Sequence, residues 1–143
     1  LDPGLGAEAT ALAAAQPRFR WLGGLPHGVA RRHIQEAHVL VHASRMEGGA
    51  HVVIEAIRSG TPVLASRIDG NVGLLGSDYE GVFESGDDAT LAALLASVRD
   101  DPAMLPRLAA QLAMRSVLFA PDAEWAALHQ LVGTLMAGRS TGR

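Results

Sequence analysis

The stretch SRMEGGAHVVIEAIRSGTPVLAS, residues 44–66, decides the fold. It opens where HVLVHAS, residues 38–44, closes an apolar run of strand length. RMEGG then breaks the run with two glycines. AHVVIEAIRSG, residues 50–60, reads as a helix ending near Gly60, because glycine commonly terminates helices. TPVLAS, residues 61–66, is a second short apolar strand. Strands alternating with helices in this way predict an α/β domain, Rossmann-like, with a parallel sheet covered by helices on both faces.

The flanking sequence continues the alternation. Residues 5–16 are good helix formers. RFRWLGG, residues 18–24, reads as a short strand, and PHGVARRHIQEA, residues 26–37, as a helix entered through proline. After the central stretch, RIDGNVGLLGSDYE reads as a long glycine-rich connection and GVFESG, residues 81–86, as a short strand. DDATLAALLASVRD is predicted helical with Asp87 or Asp88 as N-cap. Two more helices follow, over DPAMLPRLAAQLAMRSVLF and PDAEWAALHQLVGTLMAG.

Composition limits the function classes. The chain has 143 residues, 48% of them hydrophobic, which suits one domain with a substantial core. A net charge of -3 provides no general attraction for nucleic acid or anionic lipid. No apolar run reaches the roughly 20 residues of a membrane span. Cysteine is absent, so disulfides and thiolate chemistry are excluded, and a cytoplasmic setting is the expectation. Lysine is absent too, and all 12 basic residues are arginine. Cationic contacts from this chain to an anionic ligand must come from arginine or histidine.

Ligands of open parallel sheets bind at the carboxyl ends of the strands, where RMEGG is expected to lie. The helix that follows presents first-turn N–H groups without internal partners, at the positive end of its dipole. Gly48 and Gly49 let a ligand approach the backbone. Such an edge suits a phosphate or a polar sugar. Glu47 stands in the loop, and Glu55 about one and a half turns into the helix. Glu55 admits two readings. It occupies the wet side of the helix, pairing with Arg58, or it accepts hydrogen bonds from paired sugar hydroxyls. His42 and His51 flank the loop, but no third ligand at suitable spacing accompanies them, so no metal site is expected. Ser44 has no Gly-x-Ser-x-Gly elbow around it, which disfavours acyl-enzyme hydrolysis.

The ordered set resembles the donor-binding half of GT-B glycosyltransferases, more narrowly the family 4 or group 1 type. The residues that carry it are Glu47, seven residues, Glu55, then Gly60-Thr61-Pro62-Val63 and the Asp69-Gly70-Asn71 loop. FRWLGGLPHGVARRHIQEAHVLVHAS, just upstream, resembles the family's preceding strand, helix and strand. The likeness covers roughly residues 18–100. SRMEGGAHVVIEAIRSGTPVLASRIDGNVGLLG is also similar to the branch that forms a selenosugar in selenoneine biosynthesis, joining a nucleotide-activated amino sugar to selenophosphate.

The resemblance implies a nucleoside diphosphate sugar as donor, UDP-linked by expectation, with no further cofactor. Glu55 would hold the ribose hydroxyls and Glu47 the donor sugar. The amides of Gly48, Gly49 and Ala50 would face sugar or diphosphate, and Gly23, Gly24 and Leu25 would line the base pocket. Arg45 and His51 would be phosphate contacts. Asp69-Gly70-Asn71 departs from the family's commoner Gly-Gly-x-Pro-Glu, so no contact is assigned to it. The expected organisation is residues 1–143 as the C-terminal donor-binding domain, truncated at its N-terminus, with the acceptor domain elsewhere in the protein. The isolated chain is expected to be inactive. A GT-B nucleotide-sugar epimerase and a non-catalytic nucleotide-binding module are the rival readings.

Overall fold

A computed structural model describes residues 3–140. The chain divides into two units, residues 1–32 and 33–143. The first contains α1 (Pro3–Ala15), and α2 (His27–Glu36) begins in it. Residues 18–24 form no strand, which corrects the expectation from RFRWLGG. A strand exists only through a ladder with a neighbour, and these residues have no such ladder among the described residues. Phe19, Trp21 and Leu22 are exposed.

The second unit holds the sheet. Its strands β1 (Leu40–His42), β2 (Val63–Ser66) and β3 (Val82–Phe83) lie in that order, all parallel. The crossovers are α3 (His51–Ser59) between β1 and β2, and α4 (Asp69–Leu75) between β2 and β3. α5 (Asp88–Asp100), α6 (Met104–Ser116), a 3-10 turn at Val117–Phe119 and α7 (Pro121–Ser140) complete it. The result is the expected α/β class, a parallel sheet flanked by helices. Among the described residues, no helix is long and apolar enough to cross a membrane.

β2 is buried along all four residues. Successive strand side chains point to opposite faces, so both faces of this strand are covered. β1 is shorter and less buried than HVLVHAS suggested, with Val41 40% exposed. It lies at the edge of the three-stranded order, and its outward-pointing residue meets solvent.

α3 turns Val53, Ala56 and Ile57 inward, an i, i+3, i+4 set, against β1, β2, α4 and α6. Gly60 ends it in the left-handed region, φ 74°, with its amide on the carbonyls of Ala56 and Ile57. α6 contributes Met104, Leu108 and Leu112 to the same core. Asp87 caps α5, its carboxylate accepting from the Thr90 amide at 2.9 Å and the Thr90 hydroxyl at 2.6 Å. These bonds favour the ionised form and hold the Asp87 carboxyl below the usual carboxylate range.

The largest departure from the sequence reading is α4. RIDGNVGLLG looked like a connection because three glycines interrupt it. Ile68 is extended, and the chain turns helical at Asp69 with Leu75 buried in the core. One apolar anchor against α6 outweighs the weak helix propensity of this segment.

Tyr79 extends the ladder by a side chain. Its hydroxyl donates to the Val63 carbonyl at 2.7 Å and accepts from the Val63 amide at 3.1 Å. The next amide on that edge of β2, Ala65, donates to Gly81 of the neighbouring segment. The phenol thus completes a pairing that the short β3 leaves open. Burial pushes its pKa up from 10.0 to about 12, with the Val63 contact opposing and the Glu80 charge adding to the rise. Tyr79→Phe leaves both Val63 groups buried without partners. It is expected to lower unfolding stability by about 1–3 kcal/mol in a urea titration. Because the folded-state value is raised, the tyrosine's contribution is complete below its ordinary pKa of 10.0 and fades as pH climbs toward 12.

Candidate functional site

The loop over residues 44–50 leaves β1 at its carboxyl end and enters α3. Nothing caps α3 with a side chain; Ala50 is its N-cap in extended geometry, φ -78° and ψ 115°. The Ala50 carbonyl accepts from Val53 at 3.0 Å and Ile54 at 3.2 Å. Among the described residues, the amides of Ala50, His51 and Val52 have no acceptor. Three N–H groups at the positive end of a nine-residue helix are therefore left without an internal partner beside the glycines. A Cβ added at Gly48 or Gly49 would meet nothing within 4 Å. The space beside these glycines is not filled by protein.

The side of the loop away from α3 is built by the turn after β2. Arg45, Met46 and Glu47 line a pocket of about 370 Å³ together with Ile68 and Asp69. Glu47 is 39% exposed there and accepts from Ser44 Oγ at 3.1 Å. Arg45 forms no ion pair among the described residues, whereas Arg67, Arg99 and Arg107 each pair with a carboxylate. Its cationic head is available to an anionic ligand. Met46, 88% exposed, stands at the rim.

What holds the loop is a buried polar knot. Ser66 ends β2 with no exposed surface, and its hydroxyl donates to the Ser44 carbonyl. Asn71, fully buried in α4, donates through Nδ2 to the Ser66 carbonyl at 2.9 Å and contacts Ser66 Oγ at 3.3 Å. Gly70 brings α4 against the loop so closely that a Cβ there would overlap the Glu47 carbonyl oxygen. Asp69-Gly70-Asn71, to which the sequence reading assigned no contact, is thus the wall and anchor of the Glu47 loop. Ser66 and Asn71 were missed as well. The available signal was a small polar residue ending a fully apolar strand, followed by a glycine next to an amide.

Glu55 sits half-buried on α3, between the core-facing Val53, Ala56 and Ile57 and the exposed Arg58. His51 is exposed in the first turn. The second unit therefore brings Arg45, Glu47, Gly48, Gly49, Ala50 and His51 onto one loop and helix start, with Glu55 further along the same helix. Gly23, Gly24 and Leu25 belong to the first unit, where Gly23 takes φ 63° and Leu25 is half-buried. Among the described residues, no group of His, Asp or Glu side chains is arranged to hold a metal.

A second concavity, about 360 Å³, lies at the opposite end of α4 beside Tyr79, Gln111 and Arg115. There the Arg115 guanidinium donates to the carbonyls of Leu74 at 3.1 Å and Gly73 at 2.7 Å. Its cation is spent on closing a helix end.

The family described as glycosyl transferases group 1 matches residues 8–114. The chain belongs to that family. The matched span contains the Glu47 loop, α3, β2 and the Asp69-Gly70-Asn71 turn, all the elements of the pocket just described. Glycosyl transfer between a nucleotide-sugar donor and an acceptor is the chemistry of such a domain. Curated proteins yield no match to this group 1 glycosyl transferase chain.

Gly70→Ala is expected to cost about 1–3 kcal/mol of unfolding stability, because backbone on both sides must shift to admit the methyl group. Gly73→Ala in the same helix, where an added Cβ meets nothing within 4 Å, is expected to be neutral or stabilising. Equal denaturant midpoints for the two variants would show that the α4–loop contact is not tight.

Proposed function

We propose that this chain is the donor-binding part of a GT-B glycosyltransferase that moves a sugar from a nucleoside diphosphate to an acceptor. The observation that carries this is the uncapped start of α3 beside open glycines, with Glu47 and Arg45 on the same loop. A diphosphate leaving group gathers negative charge as the glycosidic bond breaks. Preorganised amides and a nearby guanidinium stabilise that charge. In this reading Ala50, His51 and Val52 amides and the Arg45 side chain meet the diphosphate, with His51 as a further contact. Glu47 takes hydroxyls of the donor sugar and Glu55 those of the ribose. The base is taken to be uracil.

The acceptor is held by a further domain of the same protein that closes over the loop. It follows that the 143-residue chain by itself should bind donor without turning it over. The likeness to the selenosugar branch makes a nucleotide-activated amino sugar with selenophosphate the first donor–acceptor pair to try in the whole protein. Release of free epimerised sugar with no acceptor product would instead favour the epimerase reading.

Binding of UDP, followed by calorimetry, tests the donor site. Glu55→Gln removes a charged acceptor from the ribose and is expected to weaken UDP by about 1.5–3 kcal/mol. Unchanged affinity would remove the ribose assignment. Failure of the unsubstituted chain to bind any nucleoside diphosphate would leave a non-catalytic interaction module as the better description.

A further inference from the structure

A polar chain beneath Glu47 has no part in the donor contacts proposed above. His42 Nε2 lies 3.3 Å from Ser44 Oγ, and Ser44 Oγ lies 3.1 Å from Glu47 Oε1, to which it donates. The imidazole nitrogen is itself 4.0 Å from the same carboxylate oxygen. A serine hydroxyl carries one proton. With that proton directed at Glu47, the contact to His42 closes only if Nε2–H donates to the serine oxygen. The other ring nitrogen, Nδ1, is buried with no partner. A buried bare acceptor is better tolerated than a buried orphan N–H, so this nitrogen too calls for the Nε2–H form. The order of groups is imidazole, hydroxyl, carboxylate. The serine stands in the middle, which is unlike a hydrolase triad, where histidine does.

Glu47 needs such support. It lies on a loop, followed by two glycines, and is 39% exposed. Ordering a free glutamate costs side-chain entropy, and a ligand that must supply it binds more weakly. His42 is only 12% exposed and sits in β1, in register with Ala65 of β2. The Ser44 carbonyl is held independently by the Ser66 hydroxyl. Both ends of the serine are therefore pinned to the sheet.

We propose that His42 is a positioning residue for Glu47, acting through the Ser44 hydroxyl to hold the carboxylate where it meets the donor sugar. This rests on the reading of Glu47 as the sugar-binding acid. It carries a consequence that a general packing role does not. Loss of His42 should weaken the sugar half of the donor and leave the nucleotide half untouched.

Calorimetric titration of the protein with UDP-glucose, UDP-N-acetylglucosamine and GDP-mannose identifies the tightest probe, which is then compared with its free nucleoside diphosphate. His42→Leu is expected to weaken the nucleotide sugar about three- to tenfold while the free diphosphate binds as before. His42→Gln, whose amide can donate from nearly the same point, is expected to restore most of the loss. Ser44→Ala should match His42→Leu, and it carries the test if the leucine variant does not fold. In a Glu47→Ala background, His42→Leu should have no further effect. Equal weakening of sugar and diphosphate, or an undiminished effect without Glu47, would overturn the proposal. So would wild-type binding by His42→Leu and Ser44→Ala while Glu47→Ala is impaired, and in that case the sugar role of Glu47 stands. Unchanged binding by Glu47→Ala itself overturns that role and the proposal together.

Discussion

The hydroxyl of Ser66 is the point on which the ligand edge of this domain depends. It ends the central strand of the sheet, buried on both faces, where no water can replace a missing partner. Its one proton goes to the Ser44 carbonyl and fixes the loop after β1. Its lone pairs and the adjacent carbonyl receive Asn71 Nδ2 and fix the start of α4. Two loops from two parallel strands are joined through one side chain. Low dielectric makes such a buried network costly to break, which ties the two loops to each other.

Around this knot the domain separates what is filled from what is open. Gly70 is small because the Glu47 carbonyl occupies the space where a side chain would go, whereas Gly48 and Gly49 have empty space beside them. The same residue type thus serves packing on one wall of the pocket and access on the other. The charges are divided similarly. Arg67, Arg99 and Arg107 are paired with carboxylates and Arg115 with helix carbonyls, while Arg45 on the loop has no carboxylate partner among the described residues. In a chain without lysine, an anionic ligand at this edge is left to Arg45, the histidines and the amides at the start of α3.

Most of the elements were legible because their signals are local. Gly60 ends α3, Asp87 caps α5, and the apolar spacing of Val53, Ala56 and Ile57 marks the face that is buried. The errors share one cause. RFRWLGG has strand-forming residues, but a strand is a relation between two segments, and no partner lies beside it among the described residues. HVLVHAS yields only three paired residues because β1 lies at an edge of the three-stranded order. RIDGNVGLLG has poor helix propensity and is helical because Leu75 finds the core and Arg115 closes the helix end. The pocket followed the same rule. The loop with Glu47 could be read from spacing, and its wall of Ile68 and Asp69 could not.

The sequence by itself determined the α/β alternation, the loop that carries the acid and glycines, and membership of the group 1 glycosyl transferases. These follow from periodicity, from punctuation by glycine and proline, and from an ordered set of residues, all of which are one-dimensional. Only the tertiary structure decided that Asn71 and Ser66 hold the loop and that Gly70 is the contact between its two walls. Those are distances across the sheet, set by strand register and by the packing of α4. No local pattern encodes them, because each depends on where a second segment comes to lie.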